Sequence, residues 1–185
     1  MSTKAENEKL KKLISASMCA ALLCVIGPIS IPIGPVPIAL TNLALFFLTY
    51  VAGTWTTVAA CAIYILLGFA GVPVFAGFSG GAHVLLGPTG GFIVGYIPMI
   101  LVMGPFVTRH PEKRLLCTLV MFGATLVLYT IGTVWFIAVT GSGVWAALAA
   151  CVLPFAAEDF IKGLAAALAA PGLSRRVKRA VRAGK

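Results

Sequence analysis

Apolar residues run through this chain in long blocks, separated by short breaks that are either charged or rich in glycine and proline. The first polar stretch, residues 4–12, is mixed in charge, and from Leu13 to Thr108 there is no Asp, Glu, Lys or Arg. A helix crossing hydrocarbon needs about 20 apolar residues, within a range of about 17–25. The uncharged stretch therefore has room for about four spans, and Leu115 to Ala170 for two more. The breaks divide it into Leu13–Gly27, Ile38–Val51, Thr56–Phe69, Gly87–Val107, Leu115–Thr140 and Val144–Ala170. Pro28, Pro32, Pro35 and Pro37 crowd the first break; each lacks an amide donor, which predicts a loop or re-entrant turn. Residues 71–81 are again rich in Gly and Pro. Gly141-Ser142-Gly143 makes a tight turn, and Pro171-Gly172 is expected to stop the last helix. The pattern predicts an all-α integral membrane protein, a bundle of six transmembrane helices. Residues 13–172 form its membrane domain, residues 1–12 a short head and residues 173–185 a basic tail. A cleaved secretory signal is rejected for the first span, because no small-residue cleavage site stands out and everything after it is membrane-like.

Composition agrees. The 185 residues are 60% hydrophobic and 10% charged, with a mean hydropathy of +1.04, where soluble domains are about 45–50% apolar and about 25% charged. The net charge of +9 is concentrated in the head, in the loop Arg109–Arg114 and in the tail from Ser174. Short Lys/Arg-rich flanks stay in the cytoplasm, so all three segments are expected there, in a multi-pass protein of the cell membrane. That requires an even number of crossings between them, which four spans and then two provide. The breaks at residues 28–37, 71–91 and 141–143 then face outward. The tail directly follows a span, so anionic lipid rather than nucleic acid is its expected partner. Five cysteines scattered in apolar runs show neither metal-ligand nor disulfide spacing, and no metal or cofactor is expected.

Three charges break the pattern, because Glu158, Asp159 and Lys162 lie inside the sixth span. A Lys or Asp at a helix centre costs about 2.5–3.5 kcal/mol to insert, so such residues pair, face a bundle interior and mark a solute path. Asp159 and Lys162, three apart, share a helix face. Pro154, one turn before Glu158, removes a donor, strands the carbonyl of Ala150 and predicts a kink. Helices interrupted within the membrane line binding sites in transporters. The combination predicts a polar pocket for a small solute, with an acceptor and a cationic donor.

Other motifs change the picture less. Gly77-Phe78-Ser79-Gly80-Gly81 contains the G-x-S-G of rhomboid-type intramembrane proteases, but a nucleophilic serine needs a base within reach. His83 is close in the same loop, and no histidine follows on a later helix. Gly87-Pro88-Thr89-Gly90-Gly91 lacks the Gly-Lys-Ser/Thr of a phosphate-binding loop. With no ATPase signature, any energy must come from partners or gradients. Ala16 with Ala20, and Ser17 with Ala21, are small-xxx-small pairs in the first span, suited to close helix approach, either inside the bundle or as a docking face for another subunit. For Tyr64, Phe75, Tyr129 and Trp135, periodicity does not separate core, lipid-facing and pocket-wall positions.

Several of these features occur together in one known family. Gly34-Pro35-Val36-Pro37-Ile38, the run from Leu67 to Phe75, Ser79-Gly80-Gly81, Leu86-Gly87-Pro88-Thr89-Gly90-Gly91-Phe92, and Asp159 with Lys162 resemble the biotin-specific substrate-binding subunits of energy-coupling-factor (ECF) transporters, the BioY family. The resemblance covers nearly the whole chain. It implies a six-helix membrane subunit that captures biotin outside, with inward release through a transmembrane coupling subunit and two ATPase subunits. Asp159 and Lys162 are the implied biotin ligands, with Ser79, Gly80, Gly81, Thr41, Asn42 and Tyr129 around them. The implied docking face is Ala16, Ser17, Ala20 and Ala21. Where the family often has Thr-Leu-Gln-Thr, this chain reads Ala39-Leu40-Thr41-Asn42, so Thr41 or Asn42 is expected to replace that glutamine. Glu158 is outside the usual pattern. Biotin's ureido N–H groups suit an aspartate, and an ammonium suits either its ureido oxygen or its carboxylate.

Overall fold

The computed structural model describes residues 2–32 and 36–183. The Gly34-Pro35 part of the family motif and Lys185 of the tail lie outside them. Eight helices follow in order: α1 Ser2–Ile26, α2 Thr41–Ala52, α3 Thr54–Phe69, α4 Ala82–Leu86, α5 Gly90–Arg109, α6 Arg114–Thr140, α7 Val144–Cys151 and α8 Leu153–Ala183. With the short α4 set aside and α7–α8 taken as one interrupted rod, they form the six expected units. Gly90–Arg109, Arg114–Thr140 and Val144–Val177 are by themselves long and apolar enough to cross hydrocarbon. Helices α2 and α3 are apolar but shorter, at 12 and 16 residues.

The helices are apolar on more than one side. Trp145, Trp55 and Met18 are 85%, 77% and 70% exposed, a surface that suits lipid and not water. Lipid tails are as apolar as leucine, so helices associate there by close packing and hydrogen bonding rather than by escape from water. At Gly132 of α6 a side chain would collide with the ring of Phe92 on α5, and at Gly68 of α3 with the ring of Phe75. Threonine hydroxyls are satisfied along their own helices: Thr49 donates to the Leu45 carbonyl at 2.8 Å and Thr125 to Met121 at 2.9 Å, four residues back in each case.

Three local expectations are corrected, and a fourth, the kink at Pro154, is sharpened. The proline-rich break contains an antiparallel strand pair, β1 Ser30–Ile31 with β2 Ile38–Ala39, in the register Ser30 to Ala39 and Ile31 to Ile38. Prolines at its edges leave these four residues free to pair. The segment 71–91 includes helix α4, and α5 starts at Gly90, three residues after Gly87. The sixth span is broken outright at Val152 (φ −124°, ψ −53°). Pro154 cannot bond the carbonyl four residues back and its ring crowds it, so the chain restarts, with the Val152 carbonyl accepting from Phe155 and Ala156 at 3.1 and 3.0 Å. Finally, Pro171-Gly172 does not end α8, which continues to Ala183. Ala166, Ala167 and Ala170 are fully buried there, and the Ser174 hydroxyl donates to the Tyr50 carbonyl at 3.0 Å. That packing outweighs the local cost of Pro and Gly, so residues 173–183 extend the helix.

Both ends of the bundle are well defined. Lys9 and Lys12 of α1 share a groove with Gly53, at the α2–α3 turn, and Trp55. Tyr50, Val107, Pro111 and Ser174 meet around one cavity. The Lys/Arg-rich head, loop and tail therefore gather at the same end, as the crossing parity requires. The opposite end holds the β-hairpin and the 71–89 segment, tied by the Gly77 amide donating to the Pro28 carbonyl at 3.0 Å.

Candidate functional site

The interrupted helix brings its charges into the bundle near the hairpin end. Asp159 is 2% exposed and Lys162 7% exposed. From α2, the Asn42 amide donates to both carboxylate oxygens of Asp159, at 3.1 Å each. From α6, the Tyr129 hydroxyl donates to Oδ2 at 2.7 Å. Lys162 Nζ lies 3.6 Å from Asp159 Oδ1, forms an ion pair with Glu158 one turn back, and donates to the Ala39 carbonyl of β2 at 2.7 Å. Buried charges persist only when paired and hydrogen-bonded, and here α2, α6, α8 and the hairpin all supply partners. The cluster also fixes helix positions, because each partner comes from a different element.

The cluster lines one cavity, and a second adjoins it across a shared wall. One, of about 50 Å³, is lined by Asn42, Tyr129, Glu158, Asp159 and Lys162 together with Phe92, Tyr96, Leu128 and Phe155. The other, of about 200 Å³, is lined by Thr41, Tyr64, Phe75, Ser79, Thr89 and Ile93 among others. Val36, Pro37, Ala39, Phe92 and Tyr96 belong to both walls. The hairpin therefore covers the site and the α5 aromatics partition it. Drug-sized ligands occupy roughly 300–1,000 Å³, so these cavities suit a small solute with one polar end and an apolar body.

Asn42, Tyr129, Asp159 and Lys162 converge in the smaller cavity; Thr41 and Ser79 line the larger one. Gly80 and Gly81 line neither cavity. A side chain at Gly80 would strike the Val72 carbonyl, and Gly81 sits at φ +101°, where glycine is favoured. Their place is to shape the loop that carries Ser79. Tyr64 and Phe75 are cavity walls, whereas Trp135 stands apart and donates to the Gly87 carbonyl at 3.0 Å. The Ser79 hydroxyl donates to the Ala76 carbonyl at 2.8 Å, while His83 is exposed. Of the two small-residue pairs on α1, Ala16 and Ala20 are buried, which agrees with the packing alternative for that pair. Ser17 and Ala21 are exposed. Phe92, Tyr96 and Phe155 were missed as site residues. The i, i+4 spacing of Phe92 and Tyr96 on one helix face was the available signal. Among the described residues, no group of His, Cys, Asp and Glu could hold a metal ion.

Comparison with known proteins gives a consistent result. A family model described as the BioY family matches residues 1–179. A protein of Thermotoga maritima named biotin transporter BioY is 36% identical over 157 residues, 84% of this chain and 81% of that protein. Biotin transporter BioY2 of Lactococcus lactis subsp. cremoris is 33% identical over 159 residues, covering 86% and 87% of the two chains. A probable biotin transporter BioY of Pyrococcus horikoshii is 34% identical over 165 residues, 89% and 97% of the two. Among solved structures, the S-component for biotin from an ECF-type ABC transporter superposes with a TM-score of 0.81 over 91% of this chain and 93% of that one, at 22% identity. At that identity the superposition establishes the shared fold.

Proposed function

The chain belongs to the BioY family, and from that premise we propose that it is the biotin-binding subunit, or S component, of an ECF-type vitamin importer. It captures biotin from the outer side of the cell membrane. A transmembrane coupling subunit and two ATPase subunits then drive inward release, since the chain carries no ATPase signature of its own. It needs no cofactor and no metal. Its named relatives are transporters, and Ser79 is engaged with a backbone carbonyl instead of a base, so a hydrolase is not supported. The gathering of the Lys/Arg-rich head, loop and tail at one end supports a cytoplasmic location for both termini.

One observation carries the reading. A membrane bundle whose walls are apolar devotes four separate elements to holding Asp159 and Lys162 beside a small cavity. A helix lock would need the pairing but not the cavity. In such a site the carboxylate accepts ureido N–H groups, the aromatic walls cover the ring system, and the ammonium serves an oxygen of the ligand.

Calorimetry on the purified subunit in detergent tests this directly. Tight, stoichiometric biotin binding is expected, strongly weakened by Asp159→Asn and by Lys162→Ala. Folded wild-type protein that binds no biotin would overturn the proposal. Binding of a different vitamin in a competition panel would reassign the ligand, and the absence of any saturable binding would point to a channel.

A further inference from the structure

Three charged side chains face the smaller cavity, and two of them are already occupied from within the protein. Asp159 accepts from Asn42 and Tyr129 and stands 3.6 Å from the Lys162 ammonium. The Lys162 ammonium donates to the Ala39 carbonyl at 2.7 Å and pairs with Glu158 Oε1, with Asp159 Oδ1 3.6 Å away. Glu158 differs. Its Oε1 faces Lys162, but its Oε2 is buried with no hydrogen-bond partner, and the residue lines the cavity. An ionised carboxylate has about four acceptor positions and no donor. A buried oxygen of this kind left without a donor is a costly arrangement that a ligand N–H relieves. Elsewhere in the described chain, the buried side-chain oxygens without a partner are the neutral hydroxyls of Tyr50 and Thr133, and neither residue lines this cavity.

We infer that Glu158 is a ligand-binding and specificity-determining residue, whose Oε2 accepts one N–H of the bound cyclic urea. The inference rests on the biotin reading above and assigns a role to a residue outside the family's usual pattern. Its geometry follows from α8. Glu158 and Lys162 are one turn apart on the same face, so the ammonium holds one oxygen of Glu158 still while the other stays directed to the ligand. The site thereby favours a neutral N–H donor and disfavours a ring nitrogen that carries a substituent.

The test compares biotin with its two mono-N-methylated ureido derivatives, by calorimetry, on wild type, Glu158→Ala and Glu158→Gln. Glu158→Ala is expected to weaken biotin binding about tenfold, the worth of one hydrogen bond to a charged group. One of the two derivatives should bind wild type about tenfold less well than biotin, and that penalty should nearly vanish in Glu158→Ala. Glu158→Gln keeps an acceptor and should retain part of the discrimination. Equal penalties for both derivatives in wild type and Glu158→Ala would overturn the inference, because a purely structural Glu158 changes all ligands alike. If wild type fails to bind biotin at all, it is the proposed function that falls. Should the variants not fold, infrared difference spectra of wild type labelled with ¹³C-glutamate decide the matter. The chain's other glutamates, Glu6, Glu8 and Glu112, lie in the head and the charged loop. A shift of the glutamate carboxylate band on biotin binding is expected, and a shift confined to Asp159, the chain's single aspartate, overturns the inference.

Discussion

The hydroxyl of Tyr129 donates to Oδ2 of Asp159 at 2.7 Å, joining α6 to α8 within the candidate site. The two residues lie 30 positions apart in sequence, and neither helix could hold the contact alone. Asp159 is almost fully buried, so its orientation depends on such donors. Replacing Tyr129 by Phe removes one hydrogen bond to a charged group, worth about 1.5–3 kcal/mol. Biotin affinity measured by calorimetry should fall roughly 10- to 100-fold. An unchanged affinity would show that Asn42 alone orients the carboxylate.

Asn42 supplies the other donors to Asp159, 3.1 Å from each oxygen. Asn42→Asp replaces the amide with a carboxylate of nearly the same shape and sets two like charges against each other. Either the pair shares a proton or the helices separate. A lower melting temperature in detergent is expected, together with loss of biotin binding. Asn42→Leu should be milder for stability, because it removes a donor without adding a charge.

Gly68 lies under the ring of Phe75, which walls the larger cavity. Gly68→Ala forces that ring to move, and overpacking of this kind costs about 1–3 kcal/mol. The melting temperature should drop, and ligand binding should weaken through the displaced wall. Gly123→Ala is the control: a side chain there meets nothing within 4 Å, and neither quantity should change.

The two small-residue pairs of α1 should behave differently. Ala16 and Ala20 are buried, whereas Ser17 and Ala21 are exposed. Ala20→Leu should therefore destabilise the isolated subunit. Ser17→Leu with Ala21→Leu should leave folding and biotin binding intact while weakening co-purification with the coupling subunit and ATPases. If the second variant assembles normally, the docking face lies elsewhere.

Much of the architecture was legible in the chain because the bilayer imposes a simple rule. Spanning segments must be long, apolar and internally hydrogen-bonded, so charge can remain only at ends, in loops or in a site. That rule located α1, α2, α3, α5, α6 and the last rod, and it made Glu158, Asp159 and Lys162 conspicuous. The kink near Pro154 was legible for a similar reason, since a missing amide is a local property. The strand pair at Ser30–Ile31 and Ile38–Ala39 was hidden because four paired residues among prolines carry no period. The passage of α8 through Pro171 was hidden because the deciding contacts, Ser174 with Tyr50 and the buried Ala166, Ala167 and Ala170, come from elsewhere in the fold.

The sequence by itself determined the solvent, the number of helical units, the grouping of the positive segments and the identity of the out-of-place charges. Each follows from transfer free energies that act residue by residue. Only the tertiary structure decided which partners those charges take. Asn42, Tyr129 and the Ala39 carbonyl reach Asp159 and Lys162 from distant parts of the chain, and hydrogen bonds act over about 3 Å irrespective of sequence separation. The same short range separates the buried Ala16 and Ala20 from the exposed Ser17 and Ala21 beside them, and leaves one buried oxygen of Glu158 without a donor.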